Sequence, residues 1–264
     1  MASCSAPLRD MRFVYHELFD SSDISALPGF EEATPDLIDA VLEEAAKVCE
    51  NQLFPINRGG DEEGCHYHQG GEVTTPSGFR ECYRAYAEAG WIGLSSDPQY
   101  GGQGLPTAIS TLLEEMGGSS NIAFGTYVGL SRGAYRAIAA FGNDTLKTRY
   151  LPKLTSGEWS GTMCLTESQC GTDLGLLRTR AEPHADGSYR VTGNKIFISA
   201  GEHDLTDNIV HLVLARLPDA PEGVKGISLF LVPKYLPKED GTPGVANDLR
   251  VVSLEQKMGL HGSP

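Results

Sequence analysis

The segment Cys164-Leu165-Thr166-Glu167-Ser168-Gln169-Cys170-Gly171-Thr172-Asp173 puts three hydroxyls, two acids and a glycine in one short stretch. A loop of that kind can set a backbone N–H and a Thr hydroxyl against a flat heterocycle. Its downstream end can meet a second ligand. Further on, Asn194-Lys195-Ile196-Phe197-Ile198-Ser199 adds an aromatic ring and another hydroxyl. Each residue also has a plainer reading. Thr166 could cap a strand end. Thr172 could close a local turn with Gly171 and Asp173. Lys195–Ser199 could be an ordinary alternating strand. Glu167 and Asp173 read as structural acids, holding the loop through bonds to backbone N–H groups.

The elements around these residues fall into two blocks, and the expected fold class is α+β. Residues 1–33 form a mixed, partly extended lead, in which Ala6–Val14 could pack as an extension on the next domain. Thr34-Pro35-Asp36 starts a helix, with a capping hydroxyl, a proline in the first turn and an acid. Leu37, Ile38, Val41, Leu42, Ala45, Val48 and Cys49 then recur at helical spacing, and the helix is expected to end before Pro55. Residues 55–76 read as a loop. Helices are expected over 78–89, over 106–116 with a stop at Gly117-Gly118, over 121–140, and from Asn143 through Tyr150, closed by Pro152. From Ser160 the pattern changes to strands: Thr162–Leu165, Arg178–Glu182, Tyr189–Val191, Lys195–Ser199, Ile209–Ala215, Ile227–Val232 and Arg250–Leu254. The Asp186-Gly187 pair signals a hairpin, and the runs at 209–215 and 227–232 are apolar enough to be fully buried. The expected order is an extension over 1–33, an all-helical domain over 34–159, and an antiparallel, barrel-like and incomplete β domain over 160–264.

Composition narrows the function classes. Of 264 residues, 40% are apolar, enough for a packed core. Lys and Arg number 21 against 35 Asp and Glu, a formal net charge of -14. Such a surface repels nucleic acid and anionic membranes at long range, so neither is an expected partner. A local cationic pocket could still hold a phosphate-bearing ligand. No apolar run is long enough to span a bilayer, and Met1–Asp10 does not read as a signal peptide. The six cysteines are scattered without a C-x-x-C pair, which fits reduced thiols and a cytoplasmic setting. Cys65-His66-Tyr67-His68 lacks a second ligand pair at metal-binding spacing and reads as a loop, so no metal is expected. Arg58-Gly59-Gly60-Asp61 and Tyr100-Gly101-Gly102-Gln103-Gly104 are neither a P-loop nor a dinucleotide fingerprint. No Ser/His/Asp arrangement is evident.

The segments at 164–173 and 194–199, in this order after a helical block, resemble the flavin-binding signature of the acyl-CoA dehydrogenase family. The lead and Gly201–His211 resemble its methylthiopropionyl-CoA dehydrogenase-like branch. The resemblance implies FAD as cofactor, an acyl-CoA substrate, a homo-oligomer, and α,β-dehydrogenation of the thioester. It implies flavin contacts at Leu165 (backbone N–H), Thr166, Phe197, Ile198 and Ser199, and an acyl-CoA contact at Thr172. Cys170 and Leu176 replace smaller residues of the family pattern, which bears on the shape of the acyl pocket. Phe197 stands where Trp is frequent, keeping the flat face and losing the indole N–H. The family's base is a Glu in a C-terminal helical bundle, which has no match within residues 1–264. No catalytic residue is therefore assigned here, and residues 1–264 alone are expected to be inactive. Two other classes remain open: a DNA-associated alkylation-response relative on the same scaffold, and a non-catalytic flavin- or partner-binding module. The region downstream of Pro264 would discriminate them: helices carrying a placed Glu, a basic region, or a stop.

Overall fold

The computed structural model describes residues 4–264. Helices come first: α1 (Leu8–Arg12), α2 (Ser21–Ser25), α3 (Pro35–Val48), α4 (Phe54–Glu63), α5 (Phe79–Glu88), α6 (Thr107–Ser120), α7 (Ile122–Phe141) and α8 (Asp144–Ser156), with a small hairpin β1 (His66–Tyr67) and β2 (Val73–Thr74) after α4. Strands then dominate: β3 (Trp159–Cys164), β4 (Arg180–Pro183), β5 (Tyr189–Thr192), β6 (Asn208–Arg216), β7 (Ile227–Pro233), β8 (Tyr235–Pro237) and β9 (Pro243–Ala246). The expected order of a helical part followed by a β part is what the chain adopts. The β part was expected to be barrel-like and incomplete, and among the described residues its sheets do not close into a barrel.

Caps define the helices, at Thr34 and Asn143 as the sequence suggests and at Asn121 besides. Thr34 accepts a hydrogen bond from the Leu37 N–H, with Pro35 in the first turn. Asn121 and Asn143 do the same for Phe124 and Leu146. Each such cap contributes about 1 kcal/mol. The expected stops fare worse. The chain does not leave the helical conformation before Pro55: Cys49–Leu53 form a π-turn, and α4 restarts with Pro55 in its first turn, where the missing N–H costs nothing. Thus much of the expected 55–76 loop is helix and hairpin. α6 runs through Gly117 and Gly118 and ends where Asn121 turns to cap α7. α8 runs through Pro152 to Gly157, because Leu151, Leu154 and Thr155 are all buried on that turn. Burial of two Leu side chains, at about 2 kcal/mol each, outweighs the proline penalty. In the lead, Leu8–Leu18, with a π-turn at Phe13–Leu18, and Ser21–Ser25 are helical, more so than expected, and Met11 and Tyr15 are buried in the main helical core, so that Ala6–Val14 packs on the next domain as expected.

In the β part, β6 is central. It pairs with β3 in parallel, with β7 antiparallel, and with β4 through one parallel pairing, Arg180 opposite Arg216. The sheet is therefore mixed where an antiparallel one was expected. β6 is buried along most of its length, as expected. β7 is only half-buried, contrary to expectation: it packs mainly on β6, whereas β3, also an edge strand, is covered by α7 and α8. Lys195–Ser199 and Arg250–Leu254 form no strand. In the first case Phe197 takes φ +57 and Ala200 φ +54, which no strand ladder accommodates. The second has no evident physical reason.

A second core joins the two parts. Trp159, Val210 and Leu212 pack with Ala134, Ile138, Tyr150, Leu151 and Leu154. β3 lies so close to α7 that a Cβ on Gly161 would sit 2.4 Å from that of Ala134. This contact fixes β3, and through it the loop that leaves its end.

Candidate functional site

The loop after β3 is built around the Glu167 carboxylate. Its side chain is almost wholly buried. It accepts from Thr179 Oγ1 at 2.6 Å, Thr179 N at 3.0 Å, Arg178 N at 2.8 Å, Gln169 Nε2 at 2.7 Å and Lys195 Nζ at 2.9 Å. Its backbone pairs both ways with Cys170. Burial pushes the carboxyl pKa up, and these donors more than reverse the effect, holding it at about 2. Glu167 thus ties three stretches together: the loop at 165–170, the start of β4 and the segment at 195. Asp173 caps the Gly175 N–H at 3.0 Å. The structural reading of both acids is correct.

The two halves of the expected site are adjacent. The Ile196 N–H donates to the Thr166 carbonyl at 2.9 Å. Lys195 Nζ donates to the Leu165 carbonyl at 3.0 Å. Thr162 Oγ1, on β3, donates to the Ser199 carbonyl at 2.7 Å. Leu165 and Thr166 are half-buried, as are Ile198 and Ser199. Phe197, between them, is 49% exposed, in a left-handed conformation that few aromatic residues adopt. Ala200, which comes next, is fully buried and bonds through its N–H to the Pro264 carbonyl. The turn therefore holds an aromatic face outward on a buried footing.

Thr166 and Thr172 form no side-chain hydrogen bond among the described residues, so neither is spent on capping. In the turn at 172–175, Asp173 supplies the side-chain cap instead. Thr172 is exposed, beyond the Glu167–Cys170 bridge, with no hydrogen bond to the other five expected residues. Hydrogen bonds link the Leu165–Thr166 and Lys195–Ser199 stretches, and Thr172 takes no part in them.

Sequence reasoning misses two residues. Lys195 stands out in the sequence only as part of its segment, yet it bridges the two halves. Lys257 Nζ donates to Ser199 Oγ at 2.7 Å and to the Phe197 carbonyl at 3.1 Å, and lies 5.8 Å from the centre of the Phe197 ring. Spacing gives no signal for a contact that reaches back so far along the chain.

Other clusters resolve into structural roles. Ser160 Oγ lies 2.9 Å from His203 Nε2, but Nδ1 accepts from the Leu205 N–H. The Nε2 therefore carries the proton and donates to Ser160, the opposite of what a general base requires. Burial depresses the His203 pKa to about 3. In the Cys65–His68 stretch, Cys65 Sγ is 3.9 Å from Tyr127 Oη, His66 meets Glu63, and His68 meets Thr74 at 2.8 Å. Among the described residues no group of three or more His, Cys, Asp or Glu is placed to hold a metal. No helix among them is long and apolar enough to cross a membrane.

A helical part packed on an open sheet thus carries the Thr166 loop and the exposed Phe197 turn side by side. Family descriptions place it further. Residues 36–158 match the acyl-CoA dehydrogenase N-terminal domain and residues 162–264 its middle domain. The chain belongs to the acyl-CoA dehydrogenase family. It is 44% identical to 3-methylmercaptopropionyl-CoA dehydrogenase of Ruegeria pomeroyi over 98% of its own length and 44% of the relative's. It is 38% identical to a butyryl-CoA dehydrogenase of Syntrophomonas wolfei, over 97% of its length and 42% of that relative's. The chain thus spans less than half the length of these relatives. Butyryl-CoA dehydrogenase from Megasphaera elsdenii shares its fold at a TM-score of 0.66 and 24% identity, over 86% of this chain and 54% of that one.

Proposed function

We propose that this chain is the flavin- and thioester-facing portion of an FAD-dependent acyl-CoA dehydrogenase. The observation that carries the reading is the Ile196–Thr166 hydrogen bond, which sets the Thr166 loop beside the outward-facing Phe197 turn. The residues present suit the cofactor. The side-chain donors are neutral or cationic, the Thr166 hydroxyl is unspent, and an aromatic ring is exposed next to them. FAD would be held by Leu165, Thr166, Phe197, Ile198 and Ser199, and would supply the acceptor for the hydride leaving the β-carbon.

The chain's own residues then have distinct tasks. The Leu165 N–H and the Thr166 hydroxyl donate toward the heterocycle, where negative charge builds up on reduction. Phe197 covers one of its faces. Thr172, at the outer end of the loop, touches the acyl-CoA. Glu167 is ruled out as the base: a carboxylate with five donors and a pKa of about 2 is a poor proton acceptor. Asp173 is occupied by its cap. The acceptor of the α-proton is proposed to lie outside residues 1–264. Methylthiopropionyl-CoA is the proposed substrate, on the strength of the 44% identical relative. A cytoplasmic setting is proposed from the free cysteines, a homo-oligomer from the family resemblance, and units at 34–159 and 160–264 behind the 1–33 extension from the two matched domains. The net charge of -14 counts against the DNA-associated alternative.

The test uses the full-length protein. Phe197→Ala should lower flavin content, and Thr166→Ala should slow anaerobic reduction more than it releases FAD. Methylthiopropionyl-CoA should reduce the flavin faster than butyryl-CoA. Unchanged flavin content and unchanged reduction in both variants would overturn the site. Faster reduction by butyryl-CoA would overturn the substrate.

A further inference from the structure

We propose that Lys257 is a positioning residue for the Ser199 hydroxyl, turning its hydrogen toward the bound heterocycle, and that its ammonium adds positive charge to that face. The inference rests on the flavin reading above and deepens it. It starts from hydrogen-bond polarity. An ammonium has donors only, while a serine hydroxyl has one hydrogen and two acceptor sites. At 2.7 Å from Lys257 Nζ, Ser199 Oγ must therefore accept. Its own hydrogen cannot point at Lys257. Among the described residues no other hydrogen bond involves that hydroxyl, and the Ser199 carbonyl is held by Thr162. The hydrogen is thus left for a group outside the chain.

Charge supplies a second, independent observation. Lys195 and Lys234 each face a buried glutamate, Glu167 and Glu202. Lys257 has no carboxylate within ion-pair distance among the described residues. Its contacts are a carbonyl, a hydroxyl and the face of Phe197. A half-buried cation without a counter-charge, in a protein of net charge -14, is held where a ligand can supply the negative charge. Charge arriving on the heterocycle would be met by the oriented hydroxyl and, at longer range, by the ammonium.

The role separates from simple bracing of the turn. Bracing supports the oxidised and the reduced cofactor equally, and its loss weakens FAD binding without changing the midpoint potential. Orientation and charge favour the reduced form, and their loss lowers the potential. The experiment is spectroelectrochemical titration of FAD bound to the full-length wild type, Lys257→Met, Lys257→Arg, Ser199→Ala and the Ser199→Ala/Lys257→Met double variant. Thermal melting establishes that each is folded. Lys257→Met should weaken reduced relative to oxidised FAD about tenfold, a fall of about 30 mV for a two-electron couple. Lys257→Arg should restore most of it, covering the case in which the Met variant folds poorly. The two single effects should add to more than the double variant shows, because part of the Lys257 effect passes through the hydroxyl. FAD bound normally with an unchanged potential in Lys257→Met overturns this role and leaves the flavin reading standing. A full-length wild type that binds no FAD overturns both.

Discussion

Glu167→Gln tests the buried carboxylate on which the whole loop hangs. The substitution keeps the shape, removes the charge and replaces one acceptor oxygen with a donor. In the native protein one oxygen accepts from Thr179 N, Thr179 Oγ1 and Lys195, and the other from Arg178 N and Gln169. The best amide orientation keeps its oxygen on the first set. The Arg178 N–H and the Gln169 amide then face a second donor, and Lys195 loses its counter-charge. A carboxyl pKa lowered from 4.5 to about 2 corresponds to about 3 kcal/mol of stability at neutral pH. Loss of one partner of a buried pair gives a similar figure, about 3–5 kcal/mol. Urea unfolding at pH 7 should therefore show a loss of about 3 kcal/mol. The pH dependence has a fixed sign. Because the native pKa lies below the ordinary one, the carboxylate's contribution is complete above about pH 4.5 and disappears as the pH falls through about 2. The gap between wild type and variant should narrow over that window. A loss under about 1 kcal/mol at pH 7, or a gap independent of pH, would refute the account of the loop.

The geometry sets three further outcomes. His211 is buried, its Nε2 has no partner among the described residues, and burial lowers its pKa to about 4; His211→Leu should cost under about 1 kcal/mol at pH 7. Since the unfolded chain takes up that proton first, wild-type stability falls between about pH 6.5 and 4, and the variant's urea-unfolding profile should be flatter there. Gly161→Ala should cost about 1–3 kcal/mol by overpacking against Ala134, and Gly161→Ala/Ala134→Gly should recover part of it in thermal melts. Phe197→Gly should be more stable than Phe197→Ala by about 1 kcal/mol, because glycine tolerates φ +57, while both lose FAD; equal stability would show that the turn is unstrained.

The sequence carried the local part of this protein. Hydroxyl and amide caps at Thr34 and Asn143 act within a few residues, so their helix starts were legible. The change from helical to strand pattern near residue 160 and the buried run on β6 were legible for the same reason. The candidate site was read as two segments, from the types and order of their residues and from a family likeness, and these segments lie side by side. Tertiary packing decided what propensity could not. Pro152 and Gly117-Gly118 are local stop signals, but buried neighbours carry the helices through them. Lys195–Ser199 has the alternation of a strand, yet Thr166, Thr162 and Lys257 hold it as a turn with Phe197 in a left-handed conformation. The convergence of Glu167, Lys195 and Lys257 joins residues far apart in the chain. Periodicity reports which face of an element is apolar. It holds no information about which distant hydrogen-bond donor will reach a given oxygen, because that depends on the packing of β3 against α7 and the path of the chain around it.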